Sequence, residues 1–408
     1  MPQLVMKFGG TSVAGVERIK SAAGRIKHEV DNGYDVIAVV SAMSGRTNML
    51  SQEVESISPL FDAREYDVVV SSGEIQTAGL MALALQEIGV PARSWQGWQV
   101  PITTNSAYGA AHVIDIGTTL LNAKFTAGMR AAVVAGFQGV SPENRVSTLG
   151  RGGSDTSAVA IAAAFGVERC DIYTDVDGVY TADPRLVGKA RKLDRLTYEE
   201  MLELASLGAK VLQARSVELA MRHHVRLCVR SSFNDADGTL ICDEEEIMET
   251  NAVSGVAHSR DEAKVTLLSV ADRPGIAAAV FGPLSQSLVN VDMIVQNISA
   301  SGRTDLTFSC PVQQIRQAEQ CLQNLKESGQ VNFHSLALNT EVCKLSVVGI
   351  GMRSQSGVAA RMFQALADYG INILVIATSE IKISVLVDRK FMELGVQALH
   401  DAFGLHEG

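Results

Sequence analysis

The sequence is poor in the residues that mark several protein classes. Lysine and arginine number 35 against 45 aspartates and glutamates, a net charge of −10 over 408 residues. A general nucleic-acid binder carries a basic excess, and none exists here. Binding of a small polyanion needs only a few local cations and stays open. Nine prolines leave no room for long polyproline linkers. The six cysteines, Cys170, Cys228, Cys242, Cys310, Cys321 and Cys343, include no C-x-x-C pair and join no histidine at zinc spacing. A disulfide framework is therefore not expected, and no residues are assigned as metal ligands. The start, MPQLVMKFGG, has no apolar signal core. Apolar runs such as Ala158–Val167 fall short of the ~20 residues a membrane span needs. A cytoplasmic location with reduced thiols is the expectation.

What is present fits a globular α/β chain. Hydrophobic residues make up 47% and charged residues 20%, with 35 glycines for turns and ligand loops. Short apolar runs at Leu4–Phe8, Val36–Val40, Val68–Ser71, Ala131–Ala135 and Cys170–Thr174 read as strands. Amphipathic or buried stretches at Val16–Asn32, Glu74–Ile88 and Ala158–Phe165 read as helices. The alternation predicts a mostly parallel sheet sandwiched by helices. Runs such as VIAVV, apolar at every position, fit strands covered on both faces.

The composition shifts at Asp243–Glu249, with five acidic side chains in seven residues, a pattern expected of solvated linker or exposed surface. Beyond it lies an internal repeat at an offset of 82 residues. Gly275 aligns with Gly357, Phe281 with Phe363, Leu284 with Leu366, Asn290-Val291 with Asn372-Ile373, and Ile294 with Ile376. The first unit reads as a complete βαββαβ module. The second ends too soon after its last helix, Phe391–Phe403, for a fourth strand, so Val253–Ala257 is predicted to supply it. The expected domains are 1–245, 263–340, and 341–408 completed by 253–257.

Four loops carry candidate chemistry. Lys7-Phe8-Gly9-Gly10 joins a strand to a helix, where glycine amides can face an anion. It is not a Walker A loop, and the H-R-D and D-F-G kinase signatures are absent. Thr148–Thr156, TLGRGGSDT, offers Arg151 for a carboxylate, unhindered Gly150, Gly152 and Gly153, and more cap-type residues (Ser154, Asp155, Thr156) than one helix cap needs. Thr174–Arg185, TDVDGVYTADPR, offers Tyr180 as an aromatic face and Arg185 as a cation. Ser41–Asn48 and Ser71–Glu74 both follow predicted strands, where open α/β sheets place ligands, with Glu74 expected at a helix start.

In combination, KFGGTSV, RGGSD and TDVDGVYTADPR resemble the amino-acid kinase family, and within it the aspartate kinases; the repeat resembles a pair of ACT regulatory domains. The resemblance implies phosphorylation of the L-aspartate β-carboxylate with ATP and Mg²⁺, the first step toward lysine, threonine and methionine. It implies Lys7, Arg151 and Asp155 as catalytic residues. Aspartate would meet Ser41, Thr47, Glu74, Arg151, Gly152, Gly153 and Ser154. Nucleotide would meet Lys7, Phe8, Gly9, Gly10, Thr174, Asp175, Tyr180, Arg185, Lys210 and Val211. Amino-acid effectors, lysine or threonine or both, would bind near Asp272, Gly275, Ile276 and Ala277, near Asn290, Asp292, Gln296 and Asn297, and near Asn372, Ile373, Ser379 and Glu380. It also implies a homo-oligomer joined through the ACT domains, with a separate regulatory subunit, started internally near Met248, as a further option. Two other readings stay open: a kinase of the same fold for another small molecule, and a non-catalytic amino-acid sensor.

Overall fold

The computed structural model describes residues 1–206, 211–247, 251–298, 302–353 and 355–407. Lys210 and Met248 lie outside them. The chain divides into two compact units.

The first unit runs β1 (Gln3–Phe8), α1 (Val16–Asp31), β2 (Asp35–Val40), α2 (Arg46–Ile57), α3 (Ala63–Glu87), β3 (Ala92–Trp95), β4 (Ile102–Thr104), β5 (Val113–Ile116), α4 (Thr119–Thr126) and β6 (Ala131–Ala135). It continues with β7 (Gln138–Val140), β8 (Val146–Thr148), α5 (Gly153–Phe165), β9 (Arg169–Thr174), β10 (Arg195–Thr197), α6 (Tyr198–Ser206), α7 (Ala214–His223), β11 (Arg226–Ser231) and β12 (Thr239–Cys242). Eight strands form the main sheet in the order β10-β12-β11-β9-β1-β2-β6-β3, parallel except where β11 meets β12. A smaller sheet, β5-β4-β7-β8, lies beside it in sequence. Leu4, Met6 and Phe8 pack with α1 and α3 residues such as Ile26 and Met81 in one buried core. That alternation turns Lys7 to the opposite face of the sheet.

Two sequence expectations fail here. Val68–Ser71 is not a strand, and Glu74 does not start a helix: both lie inside the 25-residue α3, capped by the Asp62 carboxylate, which accepts from Arg64 N–H at 2.8 Å. Its buried stripe runs Asp67, Val70, Glu74, Thr77, Met81, Leu85. Polar residues interrupt the apolar period, so only the valines stood out. The acidic run at 243 lies at the surface, with Glu244 and Glu245 exposed and Asp243 and Glu246 in surface ion pairs. Asp243 pairs with His224 (3.0 Å) and Glu246 with Arg226 (2.9 Å).

The second unit contains β13 (Gly255–Ala271), α8 (Ile276–Gln286), β14 (Ile294–Ile298), β15 (Arg303–Cys310), α9 (Ile315–Glu327), β16 (Ser335–Val348), α10 (Val358–Asp368), β17 (Val375–Thr378), β18 (Lys382–Asp388) and α11 (Met392–Ala402). These strands make one sheet, β14-β15-β13-β16-β18-β17. Both central strands are shared. Lys264–Leu268 pairs with Ser335–Asn339 in the first repeat, whereas Gly255–Ser259 pairs with Lys344–Val348 in the second. Gly275 and Gly357, aligned by the repeat, are both left-handed N-caps, at φ 87° and 92°. The pattern of two helices over each four-stranded half is that of paired ferredoxin-like modules.

Residues Tyr180–Arg191 also belong to this unit. Thr181 C=O accepts from Val256 N–H at 2.7 Å, Leu186 C=O accepts from the Gln397 side chain at 2.8 Å, and Ala182 and Val187 enter the core with Leu345. Their burial follows packing against residues far along the chain, which local turn signals did not disclose.

Val256 is 2% exposed in the strand completing the second half. Val256→Asp should cost about 3 kcal/mol or more, since a lone carboxylate there has no partner. Denaturant unfolding that leaves the midpoint unchanged would place this segment outside the core.

Candidate active site

The parallel strands β1, β2, β6, β9 and β11 end at one edge of the main sheet, which gathers their following loops. Backbone bonds lace those loops together. Gly9 N–H donates to Tyr173 C=O (3.1 Å), Ser41 N–H to Phe8 C=O (3.1 Å), Ser44 N–H to Gly10 C=O (3.2 Å) and Gly136 N–H to Val40 C=O (3.0 Å). At Gly10 a Cβ would stand 3.0 Å from Ala42 C=O, so the close approach of the two loops favours glycine. Phe8 stacks on Tyr173 at 4.9 Å below them.

Lys7 meets Asp155 at this edge. Its Nζ lies 2.5 Å from Asp155 Oδ1, and both residues are 8% exposed. The contact is ionic rather than an aligned hydrogen bond, and Oδ1 has no aligned donor among the described residues. Asp155 sits in the first turn of α5, whose N-cap is Gly152. Gly152 has φ 72°, and a Cβ there would fall 2.1 Å from Gln213 Cγ, so only glycine fits. Gly153 N–H is used by Gly150 C=O and Thr156 N–H by Gly152 C=O. The amides of Ser154 and Asp155 remain to face an anion at the positive end of the helix. Ser154 and Gly153 are buried; Arg151 is exposed and has no ionic partner among the described residues. It is thus free to reach a ligand.

Glu74 lies across from the loop after β2. It is 3% exposed; Oε1 accepts from Ala42 N–H at 3.0 Å, and Oε2 has no partner among the described residues. Burial pushes its carboxyl up to about 7. Gly73 permits the packing, because a Cβ would meet Ala42 Cβ at 2.8 Å. Ser41 and Thr47 flank this loop, Thr47 in the first turn of α2.

Two residues that shape the site were not anticipated. Asp67, two turns before Glu74 on the same face of α3, accepts from Gly109 N–H (3.0 Å), Thr148 N–H (2.8 Å) and Thr148 Oγ1 (2.6 Å). It ties the start of the TLGRGGSDT loop to α3, although burial raises its pKa. Arg215 donates to Leu149 C=O (2.7 Å) and Ala111 C=O (2.8 Å), holding the same loop from α7. The seven-residue spacing of Asp67 and Glu74 was the available signal for the first. Nothing local signals the second.

Other candidates are placed as follows. Thr174 and Asp175 follow β9, with Thr174 Oγ1 donating to Asp175 at 3.1 Å, and Val211 is half-buried before α7. Tyr180 and Arg185 lie in the segment grouped with the second unit, where exposed Arg185 pairs with Asp183 at 2.7 Å. The effector candidates lie in that unit too. Exposed Asp272 precedes α8, with Gly275, Ile276 and Ala277 at its start. Asn290 and Asp292 lead into β14, which carries Gln296 and Asn297. Asn372 and Ile373 precede β17, and Ser379 and Glu380 follow it. Asp292 is held by Lys344 (2.6 Å), which also pairs with Glu262 (2.7 Å).

Because Glu74 binds its proton more tightly when folded, the native state holds more protons between pH 4.5 and about 7, and stability falls as pH rises through that window. Glu74→Gln keeps the acceptor to Ala42 and should remove this fall. An identical pH profile of thermal unfolding in both proteins would contradict the buried, proton-retaining carboxyl.

The amino acid kinase family model matches residues 2–231, and ACT domain models match 264–327 and 345–403. An aspartate kinase of Pseudomonas fluorescens is 50% identical over 99% of this chain and 98% of its own. Escherichia coli aspartokinase III solved with lysine and aspartate is 25% identical, covers 98% of this chain and 99% of its own, and superposes with a TM-score of 0.78. The same enzyme with aspartate and ADP, at 24% identity over 98% of this chain and 99% of its own, gives 0.79 and bears on the fold. By its matched domains and full-length identity, the chain belongs to the amino acid kinase family, in its aspartate kinase branch, with two C-terminal ACT domains.

Proposed function

We propose that the strand-end site carries phosphoryl transfer from ATP to the β-carboxylate of L-aspartate, giving 4-phospho-L-aspartate and ADP. The observation that carries this reading is the buried Lys7–Asp155 contact at the N-terminus of α5, beside the Gly9-Gly10 turn. A carboxylate nucleophile is already ionised at neutral pH, with a reference pKa of about 4, so no general base is needed. Its oxygen bonds to the γ-phosphorus as the bond to the β,γ-bridging oxygen breaks. The difficulty is bringing two anions together, so cations and amide dipoles dominate catalysis.

Lys7 then neutralises charge on the transferring group, and the Gly10 and α5 amides face phosphate oxygens; the Gly9 amide, expected at the nucleotide, is already given to Tyr173 C=O and shapes the turn instead. Arg151 clamps a carboxylate of aspartate, with Ser41, Thr47, Gly152, Gly153 and Ser154 around it. Glu74 Oε2 receives the substrate ammonium, which draws that carboxyl back to its ionised form. Thr174, Asp175 and Val211 serve the nucleotide, and the family resemblance assigns Tyr180, Arg185 and Lys210 to it as well. The Asp155 carboxylate, buried with one oxygen on Lys7, would hold Mg²⁺ through its other oxygen, since Mg²⁺ takes one or two carboxylates and leaves the rest to phosphate and water. Mg²⁺ when bound supplies neutralising charge on the phosphates.

Effectors bind at the ACT units, lysine or threonine being the class expected, and must prefer an inactive arrangement to inhibit. β14 and β17 end the hydrogen-bonded strand order and share a small apolar cluster through Met293, Val295, Val375 and Ala377. A second copy or a separate regulatory chain joins at the ACT units. A cytoplasmic location is part of the same reading.

Trapping the acyl phosphate with hydroxylamine tests the reaction. Lys7→Ala should lower kcat by about 10²–10³-fold, the scale of losing one charge-stabilising donor, with a much smaller change in KM for ATP. Near-normal turnover would remove Lys7 from the mechanism. For regulation, Asp272→Ala should raise the lysine or threonine concentration giving half inhibition about tenfold, the scale of one hydrogen bond to a charged group. Unchanged sensitivity to every aspartate-family amino acid would exclude Asp272 from effector binding.

A further inference from the structure

The end of the second unit brings two histidines and an aspartate together. α11 closes in a left-handed turn: Leu405 N–H donates to His400 C=O at 3.2 Å and Gly404 N–H to Asp401 C=O at 3.1 Å, with Gly404 at φ 64°. This pair of bonds is the Schellman closure, and it folds His406 back over the last helical turn. One ligand atom each of His400, Asp401 and His406 lies within 4.8 Å of the others. His406 Nδ1 is 4.0 Å from Asp401 Oδ1, its Nε2 is 3.7 Å from a Glu407 oxygen, and the two imidazole rings are 6.2 Å apart.

A second observation points to a ligand. His400 is fully buried, yet its Nδ1 has no hydrogen-bond partner among the described residues. Its Nε2 lies 3.0 Å from Thr181 Oγ1, which accepts from Arg191 N–H at 2.9 Å. Buried polar nitrogens are nearly always satisfied, so a bare one in a His/Asp/His cluster asks for an occupant. With Nε2–H donating to Thr181, the neutral ring presents a lone pair at Nδ1. A histidine that ligates a metal commonly has its other nitrogen oriented in this way.

We propose that His400 Nδ1, His406 and Asp401 bind a first-row divalent ion of the Zn²⁺ class, apart from the phosphoryl-transfer site. Two imidazoles and one carboxylate suit Zn²⁺, Co²⁺ or Ni²⁺ and not Mg²⁺. Glu407 or water takes the fourth position of a tetrahedron. Bound ligand atoms would stand roughly 3.3 Å apart, as ~2 Å metal–ligand bonds require, so the site must contract. Asp401 and His406 are partly exposed side chains that can swing inward, while His400 is fixed by its packing. Lys189 is the nearby cation that opposes the ion. Occupancy would pin the C-terminal turn to α11 and, through Thr181, to the segment Tyr180–Arg191.

The test uses the full chain, stripped of metal and free of nucleotide, titrated with Zn²⁺ against a chromogenic chelator and with Co²⁺ by absorption. The expected result is one ion per chain, a higher unfolding temperature with Zn²⁺, and visible Co²⁺ ligand-field bands without a thiolate charge-transfer band. His406→Ala and Asp401→Asn should each weaken binding at least tenfold, and Thr181→Val about tenfold, the scale for a lost orienting bond. His400→Ala removes a buried ring and risks unfolding, so the two partly exposed positions decide the matter. No uptake of Zn²⁺, equal affinity in wild type and His406→Ala, or a thiolate band from the six cysteines would each overturn the site.

Discussion

The active-site architecture depends on the buried contact between Lys7 and Asp155. Two opposite charges at 8% exposure incur a large desolvation cost, and their mutual attraction only partly offsets it. Hydrophobic replacements would serve stability at least as well. The arrangement makes sense for a site that must accept highly charged phosphates, because a lysine held by one carboxylate is already placed where that charge arrives. The parallel sheet makes the meeting possible by sending the ends of β1, β2 and β9 to one edge, where α5 presents its N-terminus.

The long helix α3 serves the same edge from the other side. It buries Asp67 and Glu74 on one face, each at a cost visible in its raised pKa. Donors from Gly109 and Thr148 offset part of that cost at Asp67, and so fix the loop that carries Arg151. Glu74 keeps one oxygen unpartnered, which leaves a place for an ammonium. A helix long and apolar enough to cross a membrane by length is here half buried in the first unit, with these carboxyls facing inward.

In the second unit the constraint is sharing. β13 and β16 each serve both halves of one sheet, so neither repeat completes its four strands alone. The buried Lys344 ammonium, held between buried Glu262 and exposed Asp292, joins β13, β16 and the approach to β14 in one ionic knot. The segment Tyr180–Arg191 adds to that unit from within the kinase sequence. It shows why domain limits drawn at a change in composition near residue 243 could not anticipate the whole division.

Much of the site was legible because its chemistry is local. A Gly-Gly turn after a strand, and glycines before a run of cap residues, mark where the backbone approaches its neighbours closely, as Gly10 does against Ala42 and Gly152 against Gln213. The duplication was legible as well, since Gly275 and Gly357 repeat a backbone need for a left-handed cap. What the sequence determined by itself was therefore the chemical inventory and the order of elements. The tertiary structure alone decided that Lys7 meets Asp155, that Asp67 and Arg215 hold the loop between them, that Glu74 lies in mid-helix with its carboxyl near 7, and that His400 keeps a bare nitrogen. Each of these depends on desolvation or contact between residues far apart in the chain, and only folding brings such groups together.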